Sequence, residues 1–258
     1  MKKITDLKVC PEFVLTDIDD TITDEGRLHA EAYQALWRLH QAGIKVIPVT
    51  GRPAGWCEMI ARFWPVEGVI GENGGLYFRY HNRGMKRKFF VSESEIQVNR
   101  KKLDQIRDQI LKEVPGSAVA SDQFCRLLDL AIDFCEDVPR LPESDVQKIV
   151  RIFKKHGAQA KVSSIHVNGW FGTYTKVTMI QEFLKSEFRL SDQDIKTKCL
   201  FSGDSPNDEP MFAHFPMSVG VANILNFQSQ LRSLPTYVTR QPGGHGFAEL
   251  VDHLISQK

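Results

Sequence analysis

Along the chain, short runs of uninterrupted apolar residues alternate with longer stretches whose apolar positions recur every three or four residues. Phe13-Val14-Leu15 is one such run. Leu28, Ala32, Ala35, Leu36 and Leu39 then fall on one face of a helix expected over 27–42. Gly43 stands where a helix C-cap belongs. Ile44, Val46, Ile47 and Val49 make a second buried strand, closed by Thr50-Gly51-Arg52-Pro53. A helix over 54–63 and a third short strand within 68–75 follow. Strands that are apolar on both faces, joined by amphipathic helices, predict a parallel sheet with crossover helices.

The rhythm changes near residue 76. A hairpin is expected over 76–92, with its turn at Asn82-Arg83-Gly84. A helix over 95–114 carries Leu103, Ile106, Ile110 and Val114 on one face, and a second over 143–156 carries Val146, Ile149, Val150 and Phe153. Residues 126–134 read as a strand, and 160–170 alternate like another. This is an α+β pattern, placed as an insertion at 80–171 within a core made of 1–79 and 172–258. The parallel pattern then resumes. A helix is expected over 175–188, a strand, acidic loop and helix start over 197–212, two short strands within 217–223 and 236–240, and a terminal helix over 243–255. The expected fold class is α/β, a Rossmann-like parallel-sheet core with an inserted α+β cap domain.

Composition narrows the functional classes. The 258 residues are 42% hydrophobic and 25% charged, as in an ordinary globular protein. Lys+Arg total 33 against 32 Asp+Glu, a formal charge of +1, which gives no field for nucleic acid or an anionic membrane. The basic stretch at 83–90 is local and reads as a solvated strand or turn. The five cysteines contain no C-x-x-C pair, against a disulfide framework or zinc site and for a reducing compartment. No apolar segment follows the N-terminal lysines as in a signal peptide, and no run reaches the ~18 apolar residues of a spanning helix. A soluble cytoplasmic protein is expected.

The apolar run 13–15 is driven straight into Asp17, Asp19, Asp20 and Asp24. Burying carboxylates costs several kcal/mol each unless something compensates them. Asp17 and Asp19 stand two apart, so in extended chain they face the same way, roughly 7 Å apart. A divalent cation would remove their repulsion, and Mg²⁺ prefers oxygen ligands of this kind. A second acidic cluster, Asp204, Asn207 and Asp208, follows the apolar run Cys199-Leu200-Phe201. Either cluster alone is also what turn and N-cap chemistry produces. Two of them ending buried strands of one sheet predict a shared crevice beyond the strands' carboxyl ends, with Asp17 and Asp204 as neighbours.

At these residues the sequence resembles the haloacid dehalogenase-like phosphatase superfamily. DIDDT at 17–21, VTGRP at 49–53, the lysine of TYTKVT at 173–178 and GDSPND at 203–208 match its four motifs in order. The resemblance spans nearly the whole chain. The placement and pattern of the insertion, with ENGG at 72–75, resemble the type IIB cap group. That group includes sucrose-phosphate phosphatases, mannosyl-3-phosphoglycerate phosphatases and phosphomannomutases.

The resemblance implies roles at matching positions. Asp17 would be the nucleophile, forming an aspartyl-phosphate, and Asp19 the acid/base that serves the leaving oxygen and then water. Haloacid dehalogenases proper lack this second Asp, so its presence favours phosphorus chemistry. Thr50, Gly51 and neighbouring N–H groups would contact the phosphoryl oxygens, and Lys176 would offset the crowding negative charge. Mg²⁺ would sit between the Asp17 carboxylate, the Asp19 carbonyl and Asp204, with Asp208 orienting its surroundings and Lys176. Asn207 is a candidate contact to metal-bound water or phosphate, and Asn73 a residue bordering the site. Arg52 reads as either a phosphate contact or a structural ion pair, and Asp20 as turn chemistry.

In the cap, Ser164, His166 and Asn168 share one face of the expected strand, opposite Ile165 and Val167, and would read substrate hydroxyls or be washed by solvent. Trp170 and Phe171 read as packing or hinge residues. The expected activity is Mg²⁺-dependent hydrolysis of a small phosphorylated metabolite, a sugar phosphate or glycosyl-phosphoglycerate-type compound above all, with neither nucleic acid nor membrane as partner. A sugar phosphomutase using the same aspartyl-phosphate is the alternative, and a non-catalytic binding protein on the same scaffold a third reading.

Overall fold

The computed structural model describes residues 1–163 and 165–258; Ser164, expected to share a face with His166 and Asn168, lies outside the described residues. From the N-terminus, β1 (Lys2–Lys3) and β2 (Phe13–Thr16) precede a small hairpin of β3 (Thr23–Asp24) and β4 (Arg27–Leu28), which leads into α1 (Ala30–Gln41). Then come β5 (Lys45–Pro48), α2 (Ala54–Phe63), β6 (Val69–Gly71), β7 (Leu76–His81) and β8 (Gly84–Phe89). The next block holds α3 (Glu93–Glu113), β9 (Ala118–Val119), β10 (Asp129–Asp133), α4 (Glu143–Lys155), β11 (Gln159–Val162) and β12 (His166–Trp170). The chain closes with α5 (Lys176–Phe188), α6 (Asp192–Lys198), β13 (Cys199–Gly203), α7 (Glu209–His214), β14 (Met217–Gly220), β15 (Tyr237–Val238) and α8 (Gly243–Ser256).

The central sheet has the order β1-β15-β14-β13-β2-β5, parallel throughout. Every residue of β2 is buried because both faces are covered. Val14 joins one core layer with Leu36, Leu39 and Phe247 from α1 and α8. Phe13 and Leu15 point the other way, into a layer with Met179, Phe183 and Phe212 from α5 and α7. Helices on both faces of a parallel sheet give the α/β core that the apolar runs predict.

Two local details differ from expectation. The helix expected from residue 27 begins at Ala30 instead, because Arg27 and Leu28 pair with Asp24 and Thr23 across the Glu25-Gly26 turn. Both turn residues have positive φ, as a tight two-residue hairpin requires. The single strand expected over 160–170 is two strands. Ser163 Oγ accepts the N–H groups of Ile165 and His166, and the chain reverses there. The end of α1 is as expected. Gly43 has φ +73, and the N–H groups of Gly43 and Ile44 donate to the carbonyls of His40 and Leu39, a Schellman closure.

A second, antiparallel sheet of order β11-β12-β10-β9 stacks on α3 and α4 around Leu103, Ile106, Ile149, Phe153 and Val167. The hairpin β7–β8 instead pairs with β6, and a parallel bridge from Val49 to Ile70 ties β6 to the end of β5. The expected boundary at residue 80 therefore falls inside β7, and the hairpin is continuous with the core side.

One buried carboxylate fastens the two units together. Glu72, Asn73 and Gly74 all have positive φ, at 46°, 57° and 99°. At Gly74 a Cβ would lie 2.2 Å from the Thr175 carbonyl oxygen, so only glycine fits. This twist aims the Glu72 side chain inward. Its Oε1 accepts the N–H groups of Ala54 at 2.9 Å and Leu127 at 2.8 Å, and its Oε2 those of Leu128 at 2.6 Å and Asp129 at 3.1 Å. The first caps α2 in the core, and the other three belong to the approach to β10. A Glu72→Gln substitution keeps the shape but turns an amide NH₂ toward these donors. It should cost about 2–4 kcal/mol of unfolding free energy in urea titration, whereas a loss under about 0.5 kcal/mol would contradict this fastening role.

Candidate active site

Strands β2 and β13 lie side by side with Thr16 opposite Ser202, and the Asp17 N–H donates to the Ser202 carbonyl at 2.9 Å. Their ends therefore carry Asp17 and Asp204 to the same place. Lys176, at the first turn of α5, donates to Asp17 Oδ1 at 2.9 Å and to Asp208 Oδ1 at 3.1 Å. Asp208 Oδ2 accepts the Asp204 N–H at 3.1 Å. Gly203 makes room for this, since a Cβ there would lie 2.4 Å from Asp208 Oδ2. Oxygens of Asp17, Asp204 and Asp208 all fall within 4.8 Å of one another.

Three buried carboxylates share one ammonium here. Burial pushes the Asp17 pKa up to about 7; Lys176 opposes the rise, and Asp208 and Asp19 add to it. Burial, Asp208 and Asp17 hold Asp204 well above the usual carboxylate range. Burial disfavours the Lys176 ammonium, but Asp17 and Asp208 outweigh it and raise its pKa. The excess negative charge and an all-oxygen donor set, joined by Thr21 Oγ1 at 3.3 Å from Asp204 Oδ1, fit a hard divalent cation such as Mg²⁺. The buried Asn207 Oδ1 also has no partner.

The Asp19 carboxylate, which is 30% exposed, is gripped by Arg52 through Nε at 3.0 and 3.1 Å and Nη2 at 2.8 Å. Arg52 also stacks on the Trp56 ring at 4.5 Å and reaches Glu136 of the cap at 3.7 Å. Of the two readings of Arg52, the ion pair is the arrangement present. Thr50 is wholly buried, and its Oγ1 accepts the Arg52 N–H at 3.0 Å, which shapes the loop. Gly51, Arg52, Asn73 and Asn207 line a cavity of about 920 Å³ together with Asp17, Asp19 and Asp204. Asp20 has φ 55, and its carbonyl accepts from Asn223 at 3.0 Å, in keeping with turn chemistry.

The cap supplies the opposite wall. His166 and Asn168 both line the cavity; Asn168 Nδ2 donates to Asp129 Oδ2 at 3.0 Å. His166 Nε2 lies 2.8 Å from Glu136 Oε2, yet burial and the nearby Arg126 push its pKa down to about 4. Ile165, expected on the face opposite His166 and Asn168, precedes β12 and lines the cavity with them. Trp170 is buried and stacks on Tyr174 at 5.7 Å, and Phe171 packs against the cap core, both in packing roles.

Two cap residues went unread in the sequence. Arg126 donates to the Gly51 carbonyl at 3.0 Å and is paired with Asp122 and Asp129. Lys161 lines the cavity and donates to the Asn207 carbonyl at 2.9 Å. A hairpin reading of 160–170 would have revealed Lys161, because it stands directly opposite Asn168 and so shares its face.

This fold, with its acidic crevice at the carboxyl ends of adjacent parallel strands, is like that of haloacid dehalogenase-like hydrolases. The family model for haloacid dehalogenase-like hydrolases matches residues 14–123. Among relatives, the chain is 25% identical over 248 residues to a phosphoglycolate phosphatase of Methanobrevibacter smithii, covering 94% of this chain and 97% of that one. It is 28% identical over 243 residues to one of Methanothermobacter thermautotrophicus, covering 92% and 96%. Among solved structures, a HAD/COF-like hydrolase of Plasmodium vivax superposes with a TM-score of 0.73 at 16% identity, covering 99% of this chain and 100% of that chain. The C-terminal domain of the C. albicans trehalose-6-phosphate phosphatase gives 0.69 at 13%, covering 95% and 91%, a likeness of fold. These likenesses support a phosphatase of the haloacid dehalogenase-like superfamily.

A histidine buried beside an arginine stays neutral where a free one titrates. The His166 ring-proton resonances should hold their neutral-form shifts from pH 8 down to about 5.5 in an NMR titration. A midpoint near the ordinary ~6.5 would show that Glu136 overrides the burial.

Proposed function

We propose that the protein is a Mg²⁺-dependent phosphomonoesterase of the cytoplasm that acts on a small phosphorylated metabolite through an aspartyl-phosphate on Asp17. The observation that carries this reading is the buried carboxylate cluster around Lys176, which is unfavourable on its own and favourable around a cation and a phosphate. Asp17, Asp19 and Asp204 would hold the metal, the second through its carbonyl. Bound there, Mg²⁺ would shield the phosphoryl oxygens so that an anionic nucleophile can approach.

The chain's own groups supply the remaining steps. A carboxylate oxygen of Asp17 forms a bond to phosphorus as the ester P–O bond breaks. Lys176 holds Asp17 in place and offsets the charge gathering on the phosphoryl oxygens. Asp19 gives its proton to the leaving oxygen and then takes one from the water that attacks the aspartyl-phosphate. Arg52 grips the Asp19 carboxylate, and Glu136 is its other carboxylate partner within reach. The N–H groups around Gly51 and the side chains of Asn73 and Asn207 border the phosphoryl position. Asp208 orients Lys176.

The cap, from α3 to β12, is the part that would choose the substrate, with His166 and Asn168 on its inner face. Sugar phosphates are one class that such a polar wall suits. The relatives' names make short phosphorylated acids the other. No helix among the described residues is long and apolar enough to cross a membrane.

The test is hydrolysis of p-nitrophenyl phosphate with Mg²⁺ and then with EDTA. Turnover should need the metal, and labelled phosphate should appear free in solution rather than be retained on the organic product as in a mutase. Asp17→Asn should lower kcat by at least about a thousandfold with an unchanged circular dichroism spectrum. Activity within tenfold of the wild type would remove Asp17 from the nucleophile's role.

A further inference from the structure

Of the cations that line or border the catalytic cavity, Arg140 lies over the Phe134 ring at 5.9 Å, and the others differ in what neutralises them. Lys176 is paired with Asp17 and Asp208, Arg52 with Asp19 and Glu136, and Arg126 with Asp122 and Asp129. Lys161 is partly buried on β11, and its ammonium donates to one backbone carbonyl, that of Asn207. Among the described residues no carboxylate lies within ion-pair distance of it. Burial and the neighbouring Lys176 together lower its pKa to about 8. Asp208, Asp17 and Glu209 oppose that fall from a distance, but a partly desolvated ammonium with no carboxylate in contact favours the arrival of an anion from outside.

The placement of Lys161 indicates where that anion would sit. The residue is on the cap wall, across a shared cavity from Asp17, and its carbonyl partner is three residues beyond Asp204. A molecule presenting its phosphorus to Asp17 would therefore bring its other end beneath the cap lysine. The cavity's acids, Asp17, Asp19, Asp20, Glu143 and Asp204, are nearly matched in number by Arg52, Arg126, Arg140 and Lys161. One ammonium balances one carboxylate, whereas a second phosphate dianion would add an unmatched charge.

We propose that Lys161 is a specificity-determining residue that pairs with a carboxylate on the substrate, so that the preferred substrates are phosphomonoesters of short hydroxy acids rather than of the corresponding alcohols. This rests on the phosphatase reading above. A site built to pair one substrate group discriminates strongly against an analogue that lacks it, because its own polar group is then left buried and alone.

The test uses matched substrates. 3-Phosphoglycerate and glycerol 3-phosphate differ in a carboxylate against a hydroxymethyl group, as do 2-phosphoglycolate and 2-hydroxyethyl phosphate. In at least one pair, wild-type kcat/KM should favour the acid by about tenfold or more. Lys161→Met should collapse that acid-to-alcohol ratio toward one, mainly through KM, and Lys161→Arg should retain most of it. A wild-type ratio near one in both pairs, a preference for 1,3-propanediol bisphosphate over both acids, or a ratio unchanged in Lys161→Met would each overturn the assignment. An equal fall on acid and alcohol would also overturn it, because that is the signature of a lysine that only pins the cap to the Asn207 loop. These outcomes presuppose metal-dependent turnover; its absence on every ester, p-nitrophenyl phosphate included, would sink the phosphatase reading itself.

Discussion

Lys176 stands between Asp17 and Asp208, and Asp208 in turn holds the backbone N–H of Asp204. This small chain of contacts links three segments far apart in sequence: the end of β2, the start of α5 and the loop after β13. Each is delivered by the parallel sheet, whose register puts Thr16 beside Ser202. The chain is nonetheless short of positive charge, with three carboxylates and one ammonium in a space where oxygens lie within 4.8 Å. Low local polarity makes that shortage expensive. The rest of the core, apolar on both faces of the sheet, holds the acids in place against their own repulsion.

The cap is joined to this centre by polar contacts that are themselves buried. Glu72 gathers N–H groups from both units, and Arg126 reaches from the cap to the Gly51 carbonyl, in the loop that also carries Thr50 and Arg52. Arg52 then bridges Asp19 and Glu136. Cap position and the state of Asp19 are thus tied through one guanidinium.

Much of this was legible in the residues. Uninterrupted apolar runs such as 13–15 identify strands buried on both faces, and acids placed directly after two of them identify the crevice. What escaped depends on local backbone reversals that hydrophobic period does not report. ENGG looks like an ordinary turn, and nothing in its letters says that three successive positive φ values aim Glu72 inward. The alternation over 160–170 changes phase at Ser163-Ser164, a small signal of the reversal that a single-strand reading passes over, and with it the pairing of Lys161 against Asn168. Arg27 and Leu28 fit a helical face equally well as a hairpin, and the Glu25-Gly26 turn decides between them. The helix α6 did carry a signal, since Ser191 and Asp194 form a capping box. Which partner Arg52 takes is set by tertiary contact alone.

The central proposition is that the acids at the ends of β2 and β13 converge to hold a cation. It is tested most directly by thermal unfolding of the wild type and Asp204→Asn, each with and without millimolar Mg²⁺. Without metal, Asp204→Asn should melt no lower than the wild type, because it removes one of the mutually repelling carboxylates. With Mg²⁺ the wild-type midpoint should rise by about 5–10 °C, and the variant should hardly respond. A wild type indifferent to Mg²⁺, or a variant stabilised by it to the same degree, would contradict the proposition.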